Sequence, residues 1–356
     1  MRVGKNETLG FGLIGAGMIA GFHAKAIQAA SRQYDIRLMG VWGKTQEQTA
    51  EFASKNEIPF YTTQLDELLE RQDIHVVCIV TPSGAHLEPA LKAIHAGKHV
   101  IIEKPLEITI ERVDAMIEAA QMAGVKISAI FQARFASGAQ AVKKALESDR
   151  FGRLCLCSAY VKWHRTEEYY SGWKGTLALD GGGAVMNQAI HALDLLHWFA
   201  GMPYEVYAWA TRAVHKKIEA EDTACATFKF PNGALGVFEA TTGAYPGWER
   251  RIEICGERGS VSIEDDRIVR WEFMDTQPED EILRGQQEGK NSSSGAAAPD
   301  QISYHGHQKQ IEEMVEAIRL GRPLSVDVKE ARNTVALVCG IYQSAEEHLP
   351  IKVDAL

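Results

Sequence analysis

Leu9-Gly10-Phe11-Gly12-Leu13-Ile14-Gly15-Ala16-Gly17-Met18-Ile19-Ala20 is the stretch from which the rest of the chain can be read. Its first six residues are a short apolar run of the kind that makes a buried strand. Gly15-Ala16-Gly17 breaks the run, and residues 20–27 continue with helical spacing. Strand, glycine turn and helix in that order make the G-x-G-x-x-G/A fingerprint of dinucleotide binding. Gly15 permits the tight turn, Gly17 lets a pyrophosphate approach the backbone, and Ala20 keeps the helix close to the strand. Met18 and Ile19 lie between the glycines and the helix and are expected at the cofactor, with the free N–H groups and positive dipole end of the helix facing the phosphates.

Moving outward, Ile36–Trp42 reads as the second strand. An NAD-binding fold usually ends this strand with Asp or Glu, which accepts hydrogen bonds from the ribose. Gly43-Lys44-Thr45 stands there instead. A cation and a hydroxyl suit a 2′-phosphate, so Lys44 tilts the reading slightly from NAD to NADP. A solvated Lys44, with NAD held by backbone contacts, is the other reading.

Helical patterns at 49–56, 64–71, 86–96 and 110–123 alternate with strand patterns at 74–80, 99–102 and 125–130. Such alternation implies a parallel sheet with right-handed crossovers. Past about residue 131 the character changes. Strand patterns at 154–163, 205–214, 224–230, 234–242, 250–255, 260–264 and 268–273 are joined by tight turns such as Pro231-Asn232-Gly233. Hairpins of this kind imply an antiparallel sheet. The expected fold class is therefore α/β: an N-terminal dinucleotide-binding domain over 1–130, then an α+β domain over 131–356 with a large, mostly antiparallel open sheet. Residues 286–299 read as a low-complexity loop. Amphipathic helices at 307–320 and 330–348 follow, and are expected to pack back on the first domain.

Glu103-Lys104-Pro105 directly follows the apolar run at 99–102. A lysine there sits at the carboxyl edge of the sheet, where open α/β folds bind ligands. Lys104 could donate a proton or hydrogen bond to a substrate oxygen; a solvated lysine opening a loop is the plainer reading. Gln132 and Arg134, just past the last strand of this domain, are placed to meet a cofactor amide and a substrate.

Composition limits the alternatives. A chain of 356 residues with 46% apolar content can bury two cores, and a net charge of -9 argues against nucleic acid as a partner. No apolar run reaches the roughly 20 residues of a membrane helix. The basic start has no signal-peptide core behind it. Six scattered cysteines without zinc spacing suggest no metal and a reduced, cytoplasmic protein.

Together, Gly15-Ala16-Gly17, Thr81-Pro82 with His86, Glu103-Lys104-Pro105, and Gly181-Gly182-Gly183 leading to His191 and Asp194 resemble the Gfo/Idh/MocA oxidoreductase family over nearly the whole chain. The resemblance implies a Rossmann domain, an open α+β domain, and NAD(P)-dependent oxidation or reduction of a secondary alcohol on a sugar, polyol or derivative. It implies Lys104 and His191 as catalytic residues, and cofactor contacts from Thr81, Pro82, His86, Glu103, Trp173 and Lys174. In the inositol dehydrogenase pattern an aspartate lies four residues before the histidine; Asn187 stands there in this chain. Spacing of four puts Asn187 and His191 on one helix face, so Asn187 is expected to bind substrate. Trp163 offers an apolar ring face to a sugar, and Tyr304 is expected near the pocket by resemblance. Many relatives form homodimers or homotetramers through the outer sheet face. Two alternatives stay open: a glycoside-cleaving enzyme using transient oxidation, and a non-catalytic NAD(P)-binding regulator. His197 and Trp198 read as packing residues, and Asp194 as orienting a neighbour. His191, Asp194 and His197 do not share one face as a metal site would require.

Overall fold

A computed structural model describes residues 7–285 and 303–356. The chain divides into two units. One holds the described residues up to Gln132 together with Ser303–Arg332; the other runs from Ala133 to 285 and resumes over Asn333–Leu356.

The first unit is a Rossmann fold. Its strands are β1 (Leu9–Ile14), β2 (Ile36–Trp42), β3 (Tyr61–Thr62), β4 (Val76–Ile79), β5 (His99–Ile102) and β6 (Ile127–Ala129). They pair in parallel in the order β3-β2-β1-β4-β5-β6. The connecting helices are α1 (Met18–Ala30), α2 (Gln46–Lys55), α3 (Leu65–Leu69), α4 (Leu87–His95) and α5 (Ile110–Ala123). All six residues of β1 are buried, as expected when a parallel sheet is covered on both faces. α5 begins with the Thr109 side chain accepting from Arg112 N–H and ends at Gly124, whose φ of 65° suits a residue without Cβ. Strand order reverses between β1 and β4, which opens a crevice at their carboxyl ends.

The second unit is built on β7 (Leu154–Lys162), β8 (Glu205–Thr211), β9 (Thr223–Lys229), β10 (Leu235–Thr241), β11 (Arg251–Gly256), β12 (Gly259–Glu264), β13 (Arg267–Phe273) and β14 (Ile351–Lys352). Their order is β13-β12-β11-β7-β10-β9-β8-β14. Among the described residues β7 and β10 pair in parallel, and every other neighbouring pair is antiparallel. Burial alternates strictly along β9, the signature of a sheet with one covered face. Helices α6 (Ser137–Glu147), α7 (Ile190–Ala200) and α8 (Pro278–Gly285) belong to this unit; α9 (His305–Leu320) and α10 (Val328–Glu347) follow.

The first unit takes in the helix at 307–320, expected to pack back on it, whereas α10 past Arg332 belongs to the second unit. α9 lies inside it, with Ile311, Met314 and Val315 in the same core cluster as Ala20, Ala24 and Ile27 of α1. The reason is burial: the outer apolar face of α1 needs a cover that no earlier element supplies. The expected loop at 286–299 lies outside the described residues. No helix among the described residues is long and apolar enough to cross a membrane.

Candidate functional site

The phosphate-binding turn is shaped as the glycine pattern requires. Gly15 has φ +122°, and a Cβ there would press on Val80 at 2.9 Å. A Cβ on Gly17 would meet nothing within 4 Å, so its side of the turn is open. α1 starts at Met18 with no side-chain cap and no acidic residue in its first turn. Its N–H groups and dipole are therefore left to an anion. Ile19 packs partly against the core while Met18 is largely exposed. Lys44 is exposed just beyond β2.

At the carboxyl end of β5, Glu103 is buried and fully engaged. Its Oε1 accepts from His23 Nε2 at 2.8 Å and His307 Nε2 at 3.2 Å, and its Oε2 accepts from the Lys104 N–H at 3.2 Å. Burial alone would raise this carboxyl; the two imidazole hydrogen bonds outweigh it and hold Glu103 well below the usual carboxylate range. The same burial lowers His23. The three ligand-type atoms lie within 4.8 Å of one another, a spacing a metal could also bridge. Both Nδ1 atoms, however, are buried without a hydrogen-bond partner. Metal on Nε2 would put a proton on each Nδ1 with nothing to accept it, whereas donation from Nε2–H leaves only an idle lone pair. The trio is thus a hydrogen-bonded clamp. Glu103, expected at the cofactor, is turned inward to hold the backbone of half-buried Lys104. Neither His23 nor His307 was legible as its partner.

His86 is also a brace. It is buried, with Nδ1 3.0 Å from the Pro105 carbonyl and Nε2 2.9 Å from the Thr81 carbonyl. It thereby ties the Thr81-Pro82 turn to the Lys104-Pro105 turn across the sheet edge. Glu107 completes the arrangement by accepting from the N–H groups of His86 and Leu87 at 3.2 and 3.0 Å, capping α4. Gln132 sits beside the start of α9, and its Oε1 is buried with no hydrogen-bond partner among the described residues. Such an acceptor fits a ligand amide. Tyr304 packs partly against the core of this unit.

In the second unit the Gly181-Gly182-Gly183 stretch has a steric origin. A Cβ on Gly182 would overlap the Tyr342 hydroxyl, and one on Gly183 would overlap the Glu221 carbonyl oxygen. Those two residues cap the segment that follows. Glu221 accepts from Gly183 N–H at 3.0 Å and Val185 N–H at 2.8 Å; the Tyr342 hydroxyl accepts from Met186 N–H at 3.1 Å and donates to Glu221 at 3.1 Å. Burial pushes the Glu221 carboxyl up to about 7 against the pull of these donors. The capped segment Ala184–Ala189 is π-helical and runs into α7, so Asn187 lies on a wider turn than the regular helix its spacing suggested. π-Turns of this kind are frequent at functional sites. Gly183→Ala is expected to displace this cap and cut turnover at least about tenfold, since ångström-scale misplacement of a reacting group costs that much or more. Steady-state kinetics beside a thermal melt would check it; wild-type turnover would mean that the cap does not position the site.

His191 lies in the first turn of α7, 8% exposed. Asn187 is anchored through Nδ2, which donates to Asp180 Oδ1, while Asp180 Oδ2 accepts from Gly175 N–H at 2.8 Å. The carboxylate that position 187 lacks thus reaches it from position 180, a residue the sequence pattern did not single out. Gln188 joins Asn187 to Tyr169 and Arg165. Trp173 is half-buried, and the Lys174 ammonium sits 3.7 Å above the Tyr169 ring. Trp163 is 8% exposed with the Arg165 guanidinium 5.1 Å from its ring centroid, so it packs as a core residue and offers no open ring face.

Arg134 departs from the substrate-binding expectation. It is 1% exposed and bidentate on Asp194, with Nε–Oδ2 2.8 Å and Nη2–Oδ1 2.7 Å. The Thr334 hydroxyl donates to Asp194 at 3.0 Å and accepts from His197 at 2.8 Å. A guanidinium this far inside, satisfied by a carboxylate, serves the core. Asp194 does orient its neighbours, as its place one turn after His191 suggested.

The oxidoreductase family with an NAD-binding Rossmann fold matches residues 9–131, and the GFO/IDH/MocA C-terminal domain matches residues 139–262. The crystal structure of the WlbA dehydrogenase from Bordetella pertussis, in complex with NADH and UDP-GlcNAcA, superposes with a TM-score of 0.87 at 30% identity, covering 98% of this chain and 100% of that one. Inositol 2-dehydrogenase of Rhizobium meliloti is 28% identical over 75% of this chain and 78% of its own length. Levoglucosan dehydrogenase of Pseudarthrobacter phenanthrenivorans is 27% identical over 73% and 75%.

Proposed function

Because the chain belongs to the Gfo/Idh/MocA family of NAD-binding oxidoreductases, we propose that it interconverts a secondary alcohol and a ketone on a sugar, polyol or sugar derivative. The nicotinamide, when bound, supplies or takes up the hydride. The observation that carries this reading is Lys104, set directly past the carboxyl end of β5 on a backbone that buried Glu103 holds in place. Its ammonium favours negative charge on the reacting oxygen. His191 takes the hydroxyl proton in oxidation and returns it in reduction. Asn187, oriented by Asp180, binds a neighbouring hydroxyl. The uncapped N-terminus of α1, the open side of Gly17 and the unpartnered Oε1 of Gln132 fit the pyrophosphate and carboxamide of the dinucleotide. Thr81 and Pro82 shape the crevice edge, and Trp173 and Lys174 are assigned to the cofactor by family likeness.

Relatives with NADH bound support NAD(H) as a cofactor of this chain. Exposed Lys44 is assigned the 2′-phosphate of NADPH where that form is used. The six cysteines, none in a disulfide among the described residues, fit a reducing cytoplasm. Leu156 and Leu235, paired on β7 and β10 and 42% and 55% exposed, support a homo-oligomer formed through the outer face of the second sheet.

The test is growth of the reduced-nicotinamide absorbance band with NAD or NADP and a panel of inositols, hexoses, anhydrosugars and UDP-sugars. One productive substrate establishes the dehydrogenase, and a flat trace across the panel overturns the reading. In the same assay Lys44→Ala should raise the KM for NADPH roughly tenfold and leave that for NADH nearly unchanged. An equal effect on both would remove Lys44 from cofactor selection.

A further inference from the structure

The polar network around Gln188 has a direction that hydrogen-bond chemistry fixes. Arg165 carries donors only, so the Gln188 atom that it meets at 2.8 and 3.2 Å is Oε1. Gln188 Nε2 therefore faces the other way and spends its two hydrogens on Asn187 Oδ1 at 2.8 Å and the Tyr169 hydroxyl oxygen at 2.7 Å. Asn187 in turn gives Nδ2–H to the Asp180 carboxylate. With a cation at one end and an anion at the other, neither amide can flip.

Tyr169 is left with a defined polarity. Its oxygen accepts from Gln188 and is also reached by Arg165. Its own hydrogen is therefore directed away from both. Among the described residues that hydrogen goes to no acceptor, although the side chain is mostly enclosed. Burial raises the phenol, so the proton stays on at neutral pH. Lys174 lies 3.7 Å and Arg165 5.3 Å from the ring centroid, so two cations sit near the ring that carries this donor. Asp180, whose charge also acts on the phenol, is already occupied by Asn187 and Gly175.

We propose that Tyr169 is a further substrate-binding residue, donating its hydroxyl hydrogen to an anionic oxygen, carboxylate or phosphoryl, carried by the sugar substrate. The assignment rests on the dehydrogenase reading for the occupant being a sugar derivative. A protonated phenol with two cations near its ring rewards an acceptor that brings negative charge, and a neutral hydroxyl gains much less from the same place. The substrate is thereby narrowed from any sugar or polyol to an acidic one.

The full chain loaded with NADH would be titrated by calorimetry with glucose, glucuronate, glucose 1-phosphate, UDP-glucose and UDP-glucuronate. At least one acidic ligand should bind about tenfold or more tighter than glucose. Tyr169→Phe should weaken it about 10- to 100-fold, with glucose shifting less than about threefold. Loss confined to the two glucuronates assigns the carboxylate; loss shared by glucose 1-phosphate and UDP-glucose assigns the phosphoryl group. Equal binding of neutral and acidic ligands by the wild type, or equal weakening of both by the substitution, overturns the proposal. Should Tyr169→Phe fail to take up NADH, Tyr169→Met is the second probe, and an unchanged acidic preference there overturns it equally. Failure of the dehydrogenase reading looks different: the acidic ligands bind with the expected preference, yet none supports hydride transfer.

Discussion

Lys104→Ala is expected to lower kcat about a thousandfold or more while the Kd for NADH changes less than about threefold. The asymmetry follows from what holds what. Glu103 grips the backbone N–H of residue 104, which alanine keeps, and is itself gripped by His23 and His307. The substitution therefore removes an ammonium without releasing the turn that carries it. On the proposed reading, dinucleotide affinity draws mainly on the α1 terminus and the crevice at β1 and β4, elements other than the Lys104 side chain. Steady-state kinetics with an NADH fluorescence titration would separate the two quantities. Near-normal turnover in the variant would remove Lys104 from the chemistry.

Asp194→Ala is expected to cost about 3–5 kcal/mol of stability, because it strands a buried guanidinium. Arg134 is 1% exposed and would lose both bonds to its carboxylate, while Thr334 would lose its acceptor. Urea unfolding should show the loss as a lower midpoint at unchanged slope. A shift below about 1 kcal/mol would mean that water or a rearranged side chain compensates Arg134. The pair also predicts an acid sensitivity. Burial would raise the Asp194 carboxyl, but Arg134 outweighs it and holds it well below the usual range. A carboxyl depressed on folding contributes stability above its unfolded pKa of about 3.9, and this is lost as pH falls toward the folded value. The variant should accordingly show a shallower loss of stability on the acid side.

Local chemistry was what the sequence displayed well. The strand, glycine turn and α1 announce themselves within a dozen residues, and Lys104 follows from an apolar run that must end somewhere. His191 came by likeness to a family, as did the glycines at 181–183. What stayed hidden depends on contacts between distant positions. Glu103 meets partners 80 and 204 residues away, and no local pattern marks His23 or His307 as belonging to it. The glycines owe their identity to Glu221 and Tyr342, which press on them from other elements. Asp180 meets Asn187 across a turn that ends seven residues earlier, and no local pattern marks the two as partners. β7 and β10 are likewise individually legible as strands, but their parallel pairing crosses two other strands in sequence. Arg134 misled for the same reason: its position just past a strand suggested a substrate contact, and only the fold reveals the Asp194 carboxylate that holds it.

The return of α9 to the first unit has a consequence for how the protein is born. A nascent chain emerging from the ribosome has all six parallel strands by Gln132, yet the helix that covers α1 is not complete until about 200 residues later. At ordinary translation speeds that interval is roughly 10–40 s. Throughout it, Ala20, Ala24 and Ile27 lack the cover that Ile311, Met314 and Val315 will bring, and Glu103 lacks His307. The dinucleotide half of this protein, first to be synthesised, must be among the last to mature, and its dependence on chaperones should be greatest while the ribosome is still making the other half.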